Sequence, residues 1–361
     1  MKKTVDVSLP IGPMHPLFKE PCRIKCETRG EYVLSAEVEL GYVKKGIERI
    51  MRGRPWQEVM FLAERVCGIC SVIHNFVFIE AVENVSGIAP TERAAYLRVI
   101  VNELDRMQSH LLANYSYCYT IEHETLAMYL LNLRETVMDQ LELITGARVT
   151  CAFIIPGGVR CDLSADGAAS LRTALDHIDS ELSRFVRIFE TGPLIGLRSK
   201  GVGLLTKEAA IEAHAAGPTA RASGIPDDLR NIHPTYRLLD FKPVIRYEGD
   251  NYARIMVRFE EVFQSTGLIR TALALMKEGP IRGGGTIKAG TVQYRGEAPR
   301  GELLYDLTTD EHGRILEIAI QTPSIMNIQV CAHAMLKNAQ SAADITAIFI
   351  SSDPCIACTE R

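Results

Sequence analysis

The chain has 361 residues, of which 47% are hydrophobic and 23% charged, and its formal net charge is −4. These values are typical of a globular protein with a large core, and the acidic balance excludes nucleic-acid binding through bulk charge. The apolar runs are far shorter than the roughly 18–20 residues of a membrane-spanning helix, and the first residues lack the apolar stretch of a signal peptide. Any membrane association is therefore expected to come from partner subunits.

The predicted elements begin with strands and continue with long helices. Residues 1–50 alternate apolar and polar side chains around an Arg-Gly-Glu turn, which predicts a β-rich N-terminal part. Apolar residues at helical spacing predict a helical core over 55–280, with an irregular stretch at 192–236. The long helices of this core are expected at 58–85 with a break near Gly68, 91–118 with Thr91 as N-cap, 125–145, 166–190 and 250–279.

The last quarter of the chain returns to strands and then to a helix. Residues 285–320 predict a β-rich insertion, and residues 321–361 predict a helix over 324–339 followed by a C-terminal tail. We find neither an internal repeat nor an obvious linker. The sequence therefore predicts one domain over 1–361 of class α+β, mainly α: a bundle of long helices with small peripheral β-sheets.

Ten cysteines are the most informative residues, because four of them form two C-x-x-C pairs. The first pair is Cys67 and Cys70 in "RVCGIC", and the second is Cys355 and Cys358 in "DPCIAC". In a chain without an export signal, cysteines more often bind metals, react or lie buried than form disulfides. The other six have no metal-like spacing, so we interpret them as structural thiols: Cys22, Cys26, Cys118, Cys151, Cys161 and Cys331.

Two C-x-x-C turns can bring four thiolates to one site, and thiolates suit soft or borderline metals. Structural zinc is one alternative, but zinc ribbons separate their pairs by roughly 15–20 residues. Here Cys70 and Cys355 lie 285 positions apart. A thioredoxin-like redox dithiol is another alternative, and it explains one pair but not both. A site that joins both ends of the fold favours a catalytic centre over a local structural one.

The two pairs resemble those of the large, catalytic subunit of nickel–iron hydrogenases. Four further motifs occur in the order that this family shows: "PIGPMHPLFKEP" at 10–21, "GYVKKGIE" at 41–48, "EAPRGE" at 297–302 and "TPSIMN" at 322–327. The start of the chain is similar to the energy-converting, membrane-bound branch (Ech-type, group 4). That branch is related to the quinone-site subunit of respiratory complex I, whose members have a similar start but lack the paired cysteines.

The resemblance implies a role for each cysteine of the two pairs. All four would bind nickel, and the second of each pair, Cys70 and Cys358, would also bridge to iron. Cys67 and Cys355 would be terminal nickel ligands, and the iron would carry carbonyl and cyanide ligands. The implied reaction is the reversible heterolytic cleavage and formation of H2, with the Cys355 thiolate as the first base.

The same resemblance assigns further residues to the site. Glu20 would relay protons, and a partly dry environment would raise the pKa of its carboxyl towards neutrality. Arg300 would lie over the metals, and Asp353 would pair with an arginine there. Each of these residues also has an ordinary interpretation: a surface glutamate, a surface arginine and a turn-forming Asp-Pro.

Three residues are expected to support the cofactor. Ser324 would donate to a cyanide and could also cap a helix. His74 would hydrogen-bond the bridging sulfur of Cys70 one helical turn before it, or would simply be a core histidine. Arg65 could face the electron-transfer partner.

One residue of this chain differs from the magnesium site that many members of the family have. In many nickel–iron hydrogenases, the glutamate that matches Glu48 and a C-terminal histidine help to hold magnesium. Arg361 stands in the place of that histidine, and arginine cannot ligate magnesium. We therefore expect either a Glu48–Arg361 ion pair or a rearranged site beside a buried C-terminal tail, and make no commitment to magnesium.

The partners follow from what the chain lacks. The six remaining cysteines contain no run that could hold an iron–sulfur cluster. The resemblance implies a small subunit with a [4Fe–4S] cluster, ferredoxin as electron carrier, and complex I-like hydrophilic and membrane subunits that couple the reaction to ion translocation. The expected location is the cytoplasm, peripheral on the inner face of the cell membrane. Two alternatives remain: a non-catalytic coupling subunit of the complex I kind and a zinc-stabilised scaffold.

Overall fold

The computed structural model of the chain describes residues 6–337 and 339–361. Long and short helices make up most of these ranges, and the bounds in chain order are α1 Ile47–Met51, α2 Trp56–Glu64, α3 Ser71–Ser86, α4 Glu92–Thr120, α5 Glu124–Thr145, α6 Ala165–Thr191, α7 Pro193–Ser199, α8 Lys207–Glu212, α9 Gly217–Arg221, α10 Pro234–Leu238, α11 Asn251–Leu275, α12 Pro323–Val330, α13 Ile345–Ser351 and α14 Ile356–Thr359. Single 3₁₀ turns lie at Leu229–Asn231 and Ala342–Asp344. Within the described ranges, no helix combines the length and the apolar character needed to cross a membrane.

Three small antiparallel sheets lie at the edges of the helical bundle. Their strands are β1 Asp6–Ile11, β2 Arg23–Arg29 and β3 Tyr32–Glu39 in the first, β4 Ile154–Ile155 and β5 Gly158–Val159 in the second, and β6 Gly290–Ala298, β7 Gly301–Thr309 and β8 Ile315–Gln321 in the third. The predicted fold class is confirmed. The N-terminal part contains a third strand, β1, beside the predicted hairpin, and residues 1–5 of the predicted β-rich part lie outside the described ranges.

Helix α4 is the central helix, because it packs against α3, α5, α11 and α13. The side chain of Thr91 accepts a hydrogen bond from the Ala94 amide at 3.3 Å, so the predicted N-cap is confirmed. Helical periodicity predicts one apolar face on α4, whereas the structure buries nearly the whole circumference. The polar face, which includes Glu103 and Arg106, therefore lies inside the protein and needs internal partners.

The break predicted near Gly68 separates α2 from α3. Cys67 and Cys70 lie in this break, and the backbone amide of Ile69 donates to the Cys67 sulfur at 3.3 Å. Helix α3 is buried on almost every side, so the turn that precedes it is fixed by core packing.

The β6–β7 hairpin carries Arg300 into the protein. Its last paired residues are Ala298 and Gly301, and Arg300 lies in the tight connection between them. Gly217 packs against this connection with φ +59°, and a Cβ atom there would lie 2.4 Å from the carbonyl carbon of Arg300. Glycine is therefore required for this close approach. The Asn327 side chain donates to the Arg300 carbonyl at 3.2 Å and fixes the connection from the other side.

The C-terminal segment differs in part from its prediction. Helix α12 starts at Pro323 with Thr322 as the N-cap residue, so the prediction that Ser324 caps this helix is wrong. A proline is favoured at the first helical position because it has no amide hydrogen to satisfy. The helix then continues as a π-helical turn, Cys331–Met335. This turn ends before residue 339, where the sequence predicted the end of the helix.

Candidate metal centre

The two cysteine pairs meet in the core of the protein. The Sγ atoms of Cys67 and Cys355 are 3.3 Å apart, those of Cys355 and Cys358 are 3.0 Å apart, and those of Cys70 and Cys358 are 3.8 Å apart. All four residues are at most 3% exposed. Two turns from opposite ends of the chain therefore form one buried cluster of sulfur atoms.

The geometry of this cluster fits a thiolate-bound metal. Two sulfurs on one ion, each with a bond of about 2.3 Å, lie at most about 4.6 Å apart, and the three separations above meet this limit. The ligand atoms that lie within 4.8 Å of one another form two sets that share Cys358: Cys67, Cys355 and Cys358, and Cys70, His74 and Cys358. The hydrogen bond from Cys355 lowers the pKa of Cys67 well below its ordinary value. The same neighbour raises the pKa of Cys70 well above it. Four thiolates at this distance repel one another, and a bound cation would compensate them.

A second feature lies on the side of Cys70 and Cys358. A cavity of about 10 Å³ touches both residues and is closed by Arg300, Ser324 and His74, among others. The two cysteines at this cavity are those that the resemblance assigns to the iron. The wall contains one guanidinium and one hydroxyl group, both able to donate hydrogen bonds. The wall can therefore donate hydrogen bonds to a small polar group beside Cys70 and Cys358.

Polar side chains from elsewhere in the chain hold the two cysteine turns together. Lys45 donates to the carbonyl of Val66, before the first pair, and to that of Ala357 at 3.0 Å, inside the second pair. Gln108 on α4 donates to the Ile69 carbonyl between the two cysteines of the first pair. One lysine thus joins both halves of the sulfur cluster.

Arg300 and Asp353 form a buried ion pair above the cluster. The Nη2 atom of Arg300 lies 2.9 Å from Oδ2 of Asp353, and Nε donates to the Asp353 carbonyl at 3.0 Å. The Nη1 atom donates to Ser109 Oγ at 3.1 Å. Lys19 approaches Oδ1 of Asp353 at 3.2 Å. Burial raises the pKa of Asp353, but the charges of Arg300 and Lys19 outweigh it, so the net shift is downward and the carboxyl stays ionised.

Glu20 reaches the second cysteine turn from the N-terminal part of the chain. Its carboxylate accepts a hydrogen bond from the backbone amide of Ala357. Burial raises the pKa of Glu20 above its ordinary value, and this hydrogen bond opposes the shift. A cavity of about 10 Å³ is lined by Lys19, Glu20, Asp353 and Pro354. The carboxyl thus lies in a partly dry site next to the cysteine cluster.

His74 contacts the cluster, but not at the sulfur that we predicted. Its Nε2 atom lies 3.8 Å from Sγ of Cys358, while Nδ1 is 2.8 Å from the hydroxyl of Tyr305. The expected contact with Cys70 is therefore corrected to Cys358. Burial lowers the pKa of His74 to about 4, so the ring is neutral near pH 7. Tyr305 fixes the orientation of the ring.

The remaining predicted residues fall on both sides of the cluster. Ser324 lies at the wall, and its hydroxyl accepts the amide hydrogen of Cys355 at 3.1 Å, which leaves its own hydrogen free to donate. Arg65 is exposed and donates to the carbonyl of Phe61 at 2.7 Å. It is not in the cluster but on the surface beside the first pair.

The C-terminal residues are held in place by charged groups. Arg361 lies 2.9 Å from Glu48, so the expected ion pair forms. The carboxylate of Glu360 accepts the backbone amides of Gly41 and Val43, both at 2.6 Å. Glu360 is only 5% exposed, and the tail is buried as expected.

Sequence reasoning missed four residues of the site: Lys19, Lys45, Tyr305 and Glu360. Two of them stand inside motifs that were noted for other reasons, since Lys19 precedes Glu20 and Lys45 lies within "GYVKKGIE". Position in such a motif is the one signal that could have found them. Tyr305 and Glu360 have no local pattern, because their partners are far away in the sequence.

The other cysteines are single thiols in the described structure. Cys22, Cys26, Cys118, Cys151 and Cys331 are buried, and burial raises the pKa of each, for example to about 12 for Cys331. Cys161 is partly exposed. Within residues 6–337 and 339–361, the residue groups that could hold a metal all belong to the cluster described above.

Two family profiles match the chain. The profile described as "Respiratory-chain NADH dehydrogenase, 49 Kd subunit" matches residues 121–284 and 281–361. The profile described as "Nickel-dependent hydrogenase" matches residues 45–120, which include Cys67 and Cys70. Together the profiles extend from the first cysteine pair to the second.

Individual relatives agree with these profiles. The carbon monoxide-induced hydrogenase of Rhodospirillum rubrum is 35% identical over 98% of this chain and 99% of its own length. The membrane-bound hydrogenase subunit alpha of Pyrococcus furiosus is also 35% identical, over 98% of this chain and 87% of its own length. A chain of the membrane-bound sulfane sulfur reductase, an archaeal respiratory membrane complex, superposes with a TM-score of 0.92 at 27% identity and full coverage of both chains. This chain therefore belongs to the family of nickel–iron hydrogenase large subunits and 49 kDa subunits of respiratory complex I.

Proposed function

We propose that the chain is the catalytic subunit of a membrane-bound, energy-converting hydrogenase that cleaves and forms H2 at a nickel–iron centre. The observation that carries this proposal is the buried cluster of four thiols, drawn from both cysteine pairs. Relatives named as hydrogenases, identical in about a third of their residues over nearly the whole chain, support it.

Cys67, Cys70, Cys355 and Cys358 would hold nickel, and Cys70 and Cys358 would also hold the iron. The centre would supply the polarisation of H2 that no side chain provides. Arg300 supplies a fixed positive charge and hydrogen-bond donors above the cluster, and Asp353 keeps its planar group in one orientation. Ser324 would donate its hydroxyl hydrogen to a ligand of the iron.

The proton released from H2 needs a base and then a route away from the metals. The Cys355 thiolate would take it first, and the Glu20 carboxyl would take it next. The raised pKa of Glu20 suits a group that must both accept and release protons near neutral pH. The neutral His74 ring orients towards Cys358 and does not compete for the proton.

Electrons would leave on the side of the first cysteine pair, where Arg65 is exposed. An iron–sulfur small subunit is the expected recipient, with ferredoxin beyond it, and complex I-like hydrophilic and membrane subunits would couple the reaction to ion translocation. Relatives that are subunits of membrane-bound complexes support such an assembly. The contact between Glu48 and Arg361 supports a charge pair in place of magnesium.

A non-catalytic coupling subunit of the complex I kind is the second candidate. The match of residues 121–284 and 281–361 to the 49 kDa subunit favours it. That function does not need four thiols in one buried cluster, and this cluster is why we prefer the first candidate.

Hydrogen isotope exchange by the purified native complex tests the proposal. We expect nickel-dependent exchange between D2 and water, and about 10²-fold slower exchange in Glu20→Gln with metal content unchanged. Glu27→Gln, an exposed glutamate on β2, is the matched control and should exchange like wild type. A nickel-loaded Glu20→Gln complex that exchanges at the wild-type rate would contradict the relay, and a nickel-free complex would contradict the hydrogenase.

A further inference from the structure

Seven buried charged side chains form a second cluster, next to the metal centre and outside it. Each is at most 7% exposed. We call this cluster the carboxylate network; it consists of Glu103, Arg106, Arg221, Asp228, Arg230, Glu261 and Glu297. It joins α4, α9, α11, the 3₁₀ turn at Leu229–Asn231 and strand β6.

Arg221 is the centre of the carboxylate network. Its guanidinium lies 2.8 Å from Glu261, 2.8 Å from Glu297 and 3.1 Å from Asp228. Arg230 bridges Asp228 at 2.7 Å and Glu103 at 3.3 Å. The ion pairs therefore connect all of the carboxylates through shared guanidiniums.

Within these ion pairs four carboxylates face three guanidiniums, and a fourth buried guanidinium, Arg258 on α11, acts on Glu261 but is shared with Asp353 beside the cysteines. His110 contacts Glu261 at 2.8 Å, but burial lowers the pKa of this histidine to about 4, so it adds no positive charge near pH 7. A buried charge without a partner is strongly destabilising. The network is therefore expected to retain one proton at the carboxyl that is least well compensated.

Glu297 is the glutamate of the network that lines a cavity, and its two oxygens accept from Arg221 at 2.8 Å and from the backbone amide of Leu229 at 3.2 Å. Burial and the adjacent negative charge of Asp228 raise its pKa to about 7, although Arg221 and Arg106 act in the opposite direction. For Glu103 and Glu261, burial is outweighed by neighbouring guanidiniums, and their pKa values are lowered. Other charged or titratable groups on elements around Glu297 are Glu302 on β7, Asp227 and His214 at the cavity described next, Arg230 beside Asp228, and Glu80 and Glu83 on α3.

A cavity of about 850 Å³ connects Glu297 with the surface. Glu297 and Asp228 lie in its wall, and its rim includes Ile211 and Ile232, which are 56% and 70% exposed. A proton bound at Glu297 can therefore exchange with solvent, whereas Glu103 and Glu261 do not line this cavity.

The carboxylate network also reaches the metal centre. Ser109 and His110 are neighbours on α4: the first accepts a hydrogen bond from Arg300, and the second contacts Glu261. Glu297 itself precedes Arg300 by three residues in the β6–β7 hairpin. The network and the guanidinium of Arg300 are thus linked through adjacent residues of α4 and through one hairpin.

We propose that Glu297 is a proton-binding site at the cavity end of the carboxylate network, which takes up and releases one solvent proton and so sets the charge beside the metal centre. The step is a proton exchange between the carboxylate and solvent, without electron transfer. Its location separates it from the Glu20 route, which reaches the cysteines from the N-terminal part of the chain. The proton binding itself does not depend on hydrogenase activity; only its use beside the metals rests on the proposed function.

Infrared spectroscopy of the native complex, titrated with pH in the absence of hydrogen, tests this site. We expect the carbonyl stretch of a protonated carboxyl that shifts in D2O and disappears with a midpoint near pH 7. The band should be lost in Glu297→Gln and retained in Glu302→Gln, a change at the directly opposite residue on β7. Absence of the band from wild type, or its survival in Glu297→Gln, would overturn the proposal.

A second variant decides the matter if Glu297→Gln does not assemble. Asp228→Asn removes the negative charge that raises the proton affinity of Glu297, so the midpoint should fall by about one pH unit, a tenfold change in affinity. A midpoint that stays or rises would overturn the assignment. Because no hydrogen is present, failure here is distinguishable from failure of the hydrogenase proposal.

Discussion

The two cysteine turns have the same C-x-x-C spacing but are fixed by different forces. The first lies between α2 and α3 and is enclosed by the packed core, since Val66 and Ala63 are fully buried. The second follows Asp353, a residue with φ +53° that is buried with its charge. Charged and polar groups from distant segments hold it: Glu20, Ser324, Arg300 and Glu360.

This difference teaches that the site is assembled in two ways. Core packing encloses the first turn, and the polar partners of that turn, Lys45 and Gln108, bind neutral backbone carbonyls there. The second turn depends on ion pairs and on hydrogen bonds to charged groups, which are directional and costly to leave unpaired. Loss of one such group should therefore weaken the second turn more than a surface change of the same chemistry would.

The largest effect is expected for Arg300→Met, which leaves the buried Asp353 with Lys19 as its remaining close cation. Removing one partner of a buried ion pair costs about 3–5 kcal/mol. Thermal unfolding of the native complex measures this loss. Arg295→Met is the control on the same hairpin; its side chain is 54% exposed, and its ion pair is worth at most about 1 kcal/mol. Equal losses in the two variants would contradict the dependence on charge.

A smaller effect is expected at the first turn, for Glu64→Gln. Glu64 is fully buried, and one of its carboxylate oxygens has no hydrogen-bond partner within the described residues. Burial raises its pKa from 4.5 to about 7. Between pH 4.5 and pH 7, the Glu64 carboxyl loses its proton in the unfolded chain but keeps it in the folded chain. The free energy of unfolding therefore falls as pH rises, by up to about 3 kcal/mol, and stays at the lower value above pH 7.

Glu64→Gln should flatten this fall, because the amide does not ionise and can still accept the Ala152 amide hydrogen. Unfolding midpoints at a series of pH values from 4.5 to 8 measure it. Glu58→Gln on the same helix is 53% exposed at its side chain and should keep the wild-type slope. A slope that remains in Glu64→Gln would assign the pH dependence to another group.

The smallest effect is expected for Glu360→Gln, which affects how the second turn is anchored. The carboxylate offers one oxygen to Gly41 and the other to Val43, whereas an amide has only one oxygen. The expected cost is about 1–3 kcal/mol. Amide hydrogen exchange should become faster at residues 41–43, while Glu37→Gln, exposed on β3, should leave it unchanged. Unchanged exchange in Glu360→Gln would show that other contacts hold the tail.

The sequence predicted the parts of the site that carry a local signal. The C-x-x-C spacing identified Cys67, Cys70, Cys355 and Cys358 as candidate metal ligands, and the structure brings them together. Lys45 gave no such signal, because a single lysine in a polar segment is usually a solvated surface residue. Its partners, Val66 and Ala357, are separated by almost three hundred residues and become neighbours only in the folded chain.

The carboxylate network was missed for a different reason. The apolar periodicity of α4, through Leu97, Val101 and Leu104, indicates one buried face. It carries no information on whether the opposite, polar face is buried as well. Helix α4 has almost no solvent face, because other helices surround it and Arg106 donates to carbonyls of the β6–β7 hairpin, so Glu103 and Arg106 are internal charges.

Infrared spectroscopy of the metal centre in the purified complex tests the central claim most directly, with nickel and iron analysis of the same sample. We predict nickel together with iron, and bands from iron-bound carbonyl and cyanide in the wild-type chain. Both should be lost in Cys358→Ser and retained in Cys331→Ser, a buried cysteine outside the cluster. Zinc in place of nickel, or wild-type bands that persist in Cys358→Ser, would contradict the account.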